Sequence, residues 1–398
     1  MKTFIDLFAG CGGLSLGLQK SNWQLQFAIE AHPDAFSTYK TNIIDRKPEN
    51  VCWPNWLPQQ SHNINSLLAD YRNPLIMLSG KVDLVVGGPP CQGFSTNGSR
   101  RPDDPRNQMV ASYIELISIV QPRLLMMENV RGITSMRHRN GGTYADFIAS
   151  SLTQLGYRVW SKLVTASDWG VPQRRPRFIV IAIKDADNEA PNPFDILSKR
   201  RTQFLLDRGL PTDRPVTAEE ALSDLIVSNN ALQADAEYGH LGFQSIIYKR
   251  PASASSYCRW VNEGCDGQPS DMRLPRHTPK VKKRFKKILA TYPKGRVLSE
   301  ENREKLGLKK RTTTPMSGVL PSPTITTLPD DIIHFSEPRI LTVREHARLQ
   351  SFPDWFAFKG PYTSGGGQRK KSCPRYTQVG NAVPPLLSEA IGEVLHLM

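Results

Sequence analysis

One cysteine stands where a nucleophile would have to stand. Cys91 follows the run Val85-Val86-Gly87-Gly88-Pro89-Pro90 and precedes Gln92-Gly93-Phe94-Ser95. A thiol attacks well only when it is held in one place and its thiolate is favoured. The two prolines fix φ on the approach, and the two glycines let the backbone pass close to another group. A buried structural cysteine is the usual fate of a free thiol, but core packing does not call for a Gly-Gly-Pro-Pro lead-in. The second group with chemical content is Phe8-Ala9-Gly10-Cys11-Gly12-Gly13, with Glu30 some twenty residues beyond Gly10. Glycines that admit a ligand to the backbone, followed by an acid at that distance to bond ribose hydroxyls, are the makings of a nucleotide-type cofactor loop. Ser15 occupies the place of the third glycine of a dinucleotide fingerprint, so a nicotinamide enzyme is disfavoured.

Strands must deliver these groups to a common rim. The apolar run Asp83 to Val86 has the length and β-branched content of an interior parallel strand, and Phe4 to Leu7 and Gln26 to Ile29 read the same way. Arg123 to Met127 is a further buried strand, and it delivers Glu128-Asn129-Val130 to the end of the sheet where Cys91 lies. Tyr157 to Thr165 and Arg177 to Ile183 complete the strands. Leu14 and Leu18 share one face of a helix after the glycine turn, and Pro33 to Tyr39 is a helix. Met109 to Val120 is a helix stopped by Pro122, and Tyr144 to Leu155 is one capped by Gly156. Strands alternating with helices give an α/β, Rossmann-like, doubly wound and mostly parallel sheet. The polar stretch from Ser95 to Gln108 reads as a mobile loop.

The Pro-Cys-Gln and Phe-Ser of the cysteine run resemble the nucleophile motif of the cytosine-5 DNA methyltransferases, bacterial type. The resemblance covers roughly Lys2 to Ile183 and Pro338 to Val394. It implies S-adenosylmethionine as cofactor and S-adenosylhomocysteine as product. It implies Cys91 as nucleophile, Glu128 as the catalytic acid, and Arg175 and Arg177, from Gln173-Arg174-Arg175-Pro176-Arg177, as arginines facing the flipped base and its phosphate. Arg175 is expected to hold the base oxygen. Carried over residue by residue, the cofactor would be met by Asp6, Phe8, Ala9, Gly10, Cys11, Gly12, Gly13, Glu30, Ala31, Asn63, Ile64, Pro90, Asn381 and Ala382. Asn63 departs from the family's acid against the adenine amino group, although an amide oxygen still accepts that hydrogen bond. DNA would meet Gln92, Ser95, Asn97 and Arg106. Leu341 to Gln350, capped by Thr342, resembles the penultimate family motif, a helix bracing a recognition domain. Gln378-Val379-Gly380-Asn381-Ala382-Val383-Pro384 resembles the last one.

The charge points to the same partner. The chain of 398 residues carries a net charge of +14, which implies an anionic partner, nucleic acid or membrane surface. Arg273 to Arg311 holds fifteen Lys or Arg against three Glu, nearly the whole excess. One helix stands out there: Thr278 caps it, Pro279 opens it, Phe285 and Ile288 share a face, and Lys282, Lys283, Lys286 and Lys287 lie on the other. Positives without interleaved acids suit phosphates. A linker at Asp185 to Pro193 suggests a catalytic domain at 1–189, a second and smaller target-recognition domain at 190–335, and a segment at 336–398 returning to the catalytic domain. Gly365 to Gly367 with Arg369, Lys370 and Lys371 reads as a flexible basic loop. The six cysteines include no Cys-x-x-Cys pair, so no metal site or disulfide framework is expected. No apolar run reaches the length of a membrane span, and a cytoplasmic monomer working at the nucleoid on double-stranded DNA is expected, beside a restriction nuclease or other defence proteins. Two readings compete. A tRNA cytosine-5 methyltransferase shares fold and nucleophile, but Pro323-Thr324-Ile325-Thr326-Thr327 stands where those enzymes carry Cys-Phe-Thr. A catalytically idle DNA-binding subunit would show a broken nucleophile or acid, and both are intact.

Overall fold

The computed structural model describes residues 1–90, 108–138, 141–187, 189–363 and 372–398. Cys91, Gln92, Ser95, Asn97 and Arg106 lie outside the described residues, as do the 365–371 loop and nearly all of the loop expected from Ser95 to Gln108. The chain forms two compact units, one of Met1–Thr165, Pro176–Arg201 and Leu387–Met398, the other of Ala166–Arg175 and Thr202–Leu386. Of the segment expected to return to the catalytic domain, only Leu387–Met398 does so, and 336–386 belongs to the second unit. The second unit is therefore nearly as long as the first rather than a small appendage.

The first unit is built on six strands: β1 (Thr3–Leu7), β2 (Gln24–Ile29), β3 (Leu84–Gly87), β4 (Leu124–Val130), β5 (Tyr157–Thr165) and β6 (Pro176–Lys184). Their order is β2-β1-β3-β4-β6-β5. The β1–β2, β1–β3 and β3–β4 pairs are parallel, while β6 is antiparallel to both its neighbours. A strand covered on both faces must be apolar throughout, and Leu84–Gly87 is buried at every position. Ile5, Leu7, Phe27, Val85, Leu125 and Val180 form one core with the helix residues Val110, Leu116 and Ile148. Register carries the functional consequence. Leu7 lies opposite Gly87 and Gly87 opposite Met127, so the glycine turn and the Gly88-Pro89-Pro90 lead-in leave the sheet at the same end, level with Glu128 on β4. The last helix closes this unit: Ser388 Oγ donates to Gly13 O at 3.2 Å, and Trp23 Nε1 donates to Gly392 O at 3.0 Å.

The second unit has little sheet. β7 (Ala231–Ala234) and β8 (Gln244–Ile247) form an antiparallel hairpin, and Thr314–Pro315 pairs with Ile332–Ile333. Buried ion pairs do much of the joining. Arg348 donates to Asp354 at 2.9 and 2.7 Å and pairs with Asp224, while Arg339 grips Glu345 with 2.7 Å bonds to both carboxylate oxygens. The helix Val343–Leu349 starts, as expected, at Thr342, with a reciprocal cap from Glu345. The basic helix also has the expected form: it spans Pro279–Thr291 under a Thr278 cap, buries Phe285 and Ile288, and leaves Lys282, Lys283, Lys286 and Lys287 exposed. A helix at Pro193–Leu206 was not expected. Its signal was Asn192-Pro193, where the Asn192 side chain accepts from Phe194 N at 2.9 Å; the charges at Lys199, Arg200 and Arg201 masked the apolar face.

Candidate active site

Two chain segments meet where β3 and β4 end. Asn129 Nδ2 donates to Pro89 O at 3.2 Å, and a Cβ placed on Gly88 would stand 3.2 Å from Glu128 Oε2. The lead-in to Cys91 is thus fastened directly beside the acid. Gly87 has no room for a side chain either, since a Cβ there would lie 2.7 Å from Leu7 O and 3.0 Å from the Tyr113 ring. The glycines let the lead-in run between β1 and the acid strand, which is the close approach the sequence suggests.

Glu128 is held from the other side by β6. It lies opposite Ile179, and Arg177 lies opposite Val130, so the two side chains are diagonal neighbours on one face. Arg177 Nε sits 2.6 Å from Glu128 Oε1, with both side chains almost wholly buried. Burial lowers the guanidinium pKa, and the Glu128 charge opposes the shift. Arg177 also donates through NH1 to Pro176 O at 2.8 Å.

Arg175 has other surroundings than expected. It is 2 % exposed and belongs to the second unit. Its NH1 donates to Ile325 O at 3.0 Å and its NH2 to Gly380 O and Ala382 O at 2.8 and 3.1 Å. Those bonds make it a clamp on the second unit's backbone, and donors spent on carbonyls are not offered to a base oxygen. Gly380 is part of that clamp, because a Cβ there would run into Thr326 O.

The glycine turn is tightly specified. Phe8 adopts φ +59°, a conformation costly for a side chain that is not glycine. Ala9 N donates to Ile29 O at 3.0 Å, and Gly10 N donates to Glu30 Oε2 at 2.9 Å. Glu30 Oε1 accepts from His32 N at 2.7 Å. Burial raises the Glu30 carboxyl pKa, and the amides of His32 and Gly10 pull it back. Under the turn, Ser15 Oγ bonds Asp6 Oδ2 at 2.6 Å and lies 2.7 Å from Tyr39 OH. With Asp6 ionised, the serine proton goes to the carboxylate, so the tyrosine donates to the serine. Ser15 and Tyr39 thus hold Asp6 beneath the turn, a support that the sequence pattern did not single out. The departure of Ser15 from the glycine fingerprint was its signal.

The model of the C-5 cytosine-specific DNA methylase family matches residues 2–396. The chain belongs to that family. The Type II methyltransferase M.DdeI of Desulfomicrobium norvegicum is 32 % identical over 403 residues, covering 98 % of this chain and 87 % of that protein. The Type II methyltransferase M1.HphI of Haemophilus parahaemolyticus is 30 % identical over 403 residues, covering 99 % and 86 %. A crystal structure of a DNA modification methyltransferase encoded within an E. coli prophage superimposes with a TM-score of 0.64 at 23 % identity, covering 100 % of this chain and 99 % of that one, and shows the shared fold. The protein is therefore an S-adenosylmethionine-dependent DNA (cytosine-5)-methyltransferase, with DNA as its substrate.

The residues of this methyltransferase fit the cofactor. Asp6 Oδ1 is buried with no hydrogen-bond partner, and nothing lies within 4 Å of where a Cβ on Gly10 would point. A strained turn beneath open space, walled by Glu30, is a cradle for a nucleoside with a cationic arm. Asn63 caps the helix Ile64–Asp70, its Oδ1 accepting from Asn65 N at 2.8 Å, which leaves one lone pair for an adenine amine. Asn381, exposed at the end of the helix Arg375–Asn381, and Ala382 belong to the second unit. Among the described residues no helix is long and apolar enough to cross a membrane.

Proposed function

We propose that the chain flips one cytosine out of a specific DNA sequence and methylates it at carbon 5 through a Cys91 adduct, marking its host's DNA against a nuclease. The observation that carries the reading is the attachment of the Pro89-Pro90 lead-in to Glu128-Asn129. A nucleophile and an acid must reach neighbouring atoms of one small ring, and chemistry on a stacked base requires that it leave the helix. The Cys91 thiolate adds to carbon 6. The electron pair of the 5,6 double bond moves toward carbon 5 and nitrogen 3, where protonated Glu128 supplies a proton. Arg177 keeps the Glu128 carboxyl at one position throughout. S-adenosylmethionine supplies the methyl group that carbon 5 takes up. Nitrogen 3 returns its proton to Glu128, and loss of the carbon 5 proton to solvent restores the double bond and releases the Cys91 thiolate. The second unit, with the exposed lysines of Pro279–Thr291 on phosphates, chooses the sequence.

The test is a duplex carrying 5-fluorocytosine at the methylated position, where fluorine cannot leave as a proton does. Wild type should form an adduct resistant to denaturant and Cys91→Ala should not; methyl transfer by Cys91→Ala would end this assignment.

A further inference from the structure

We propose that Arg273 is a base-reading side chain, recognising a guanine of the target sequence through O6 and N7. The inference rests on the reading of the second unit as the part that chooses the sequence.

A buried carboxylate builds the loop between β7 and β8. Asp235 accepts from Glu237 N at 3.1 Å, from Tyr238 N at 2.8 Å and from Ser245 Oγ. The pinned loop sets the Tyr238 and Phe243 rings edge to face at 6.4 Å, and Tyr362 meets Tyr238 at 5.6 Å and 88°. Arg273 lies on the segment antiparallel to β8, bridged to Ser245, with Leu274 N donating to Gln244 O at 2.8 Å. Its guanidinium carbon stands 3.8 Å from the Tyr362 ring centroid, 4.2 Å from Phe243 and 4.8 Å from Tyr238. Three aromatic rings thus crowd around a half-buried guanidinium and restrict its movement.

The other arginine on Tyr362 shows what is unusual. Arg375 lies 4.3 Å from the same ring, yet Asp271 takes its NH1 at 2.9 Å and Glu237 its NH2 at 2.7 and 2.9 Å. Arg339, Arg344 and Arg348 are likewise paired with carboxylates. Among the described residues, none accepts a hydrogen bond from the Arg273 guanidinium and no carboxylate pairs with it. Arg273 has lost its rotamer freedom and kept its donors. A phosphate contact needs charge and tolerates a flexible stem, as in the exposed lysines of Pro279–Thr291. Two-point recognition of a base edge needs a planar fork whose movement is restricted. The cage supplies that.

The experiment uses the full-length enzyme. Bisulfite sequencing of DNA methylated by wild type gives the target sequence, and 7-deazaguanine, which lacks the N7 acceptor, then replaces each guanine in turn. At one position the replacement should lower wild-type kcat/KM by roughly five- to a hundred-fold. Arg273→Met keeps the cage filled without donors, and Arg273→Ala empties it. Neither variant should lose anything further from 7-deazaguanine at that position, and both should accept other bases there, with S-adenosylmethionine affinity unchanged by calorimetry. The proposal is overturned if no guanine shows this dependence. It is overturned too if the variants keep the wild-type preference while losing thermal stability, which marks a structural stack. A loss on all sequences alike with a shallower salt slope marks a phosphate contact and rejects it as well. If wild type methylates no DNA, the methyltransferase reading fails first and this inference goes with it.

Discussion

Arg177 Nε lies 2.6 Å from Glu128 Oε1, while Arg175, two residues earlier, gives its donors to the carbonyls of Ile325, Gly380 and Ala382. Adjacent arginines of one motif therefore have separable tasks. Arg177→Ala should leave a buried carboxylate unpaired and lower kcat by at least ~100-fold, with a smaller loss of stability. Arg175→Ala should strip several buried carbonyls of partners at about 1–3 kcal/mol each. Its urea midpoint should fall well below that of Arg177→Ala. Equal midpoints for the two variants would contradict this division.

The two left-handed glycines of the turn should respond differently to alanine. Gly12 has φ +99°, and a Cβ there would lie 2.8 Å from Ile43 Cγ1 and 3.0 Å from Tyr39 Cδ2. Gly12→Ala should destabilise the fold by more than the ~1–2 kcal/mol of the left-handed conformation alone. Gly10, at φ +57°, faces open space. Gly10→Ala should stay folded at about that cost and bind S-adenosylmethionine at least ~10-fold more weakly, as titration calorimetry would show. Unaltered affinity would mean the cofactor lies elsewhere.

Asp6 makes a prediction about pH. Burial pushes its carboxyl up to about 7 from 3.8, against the Ser15 hydroxyl, with the Glu30 charge adding to the rise. A folded-state pKa above the unfolded one favours the folded chain most below pH 3.8, and the benefit is lost as pH rises to about 7. At ~1.36 kcal/mol per unit the loss is on the order of 4 kcal/mol. Asp6→Asn cannot titrate, so its stability should depend less on pH between about 4 and 7 than that of wild type. Urea unfolding at pH 5 and pH 7.5 compares the slopes, and parallel slopes would refute the assignment.

The exposed lysines of Pro279–Thr291 should act on all DNA alike. Replacing Lys282, Lys283, Lys286 and Lys287 by glutamine should flatten the salt dependence of binding by up to ~0.9 for each phosphate no longer neutralised. The methylated sequence should not change. A changed sequence with an unchanged salt slope would put base reading on this helix instead of near Arg273.

What was legible in the sequence was local. Glycine and proline beside Cys91, the acid at the end of a buried strand and the caps Thr278 and Thr342 each act over a few residues. The parallel sheet followed from short apolar runs between helices. What stayed hidden depends on distant partners. Arg175 finds its acceptors at Ile325, Gly380 and Ala382, so no spacing near Arg175 separates it from Arg177. The cage around Arg273 gathers Tyr238 and Phe243 from one loop and Tyr362 from more than a hundred residues further along the chain. The compact units divide at Leu387 rather than near 336 for a similar reason. The helix Val343–Leu349 joins Asp224 and Asp271 through Arg348 and Arg344, charges that a hydropathy reading treats as surface.

The first unit takes its final twelve residues, Leu387–Met398, from beyond the whole second unit. On the ribosome the helix Gly13–Lys20 therefore emerges long before the partner that Gly13 and Trp23 require. At roughly 5–20 residues per second the intervening residues take on the order of 20–70 s to appear. Until then the cofactor turn has no backing helix, although all six strands of the sheet have been made. The first unit is therefore incomplete until the last helix has been made.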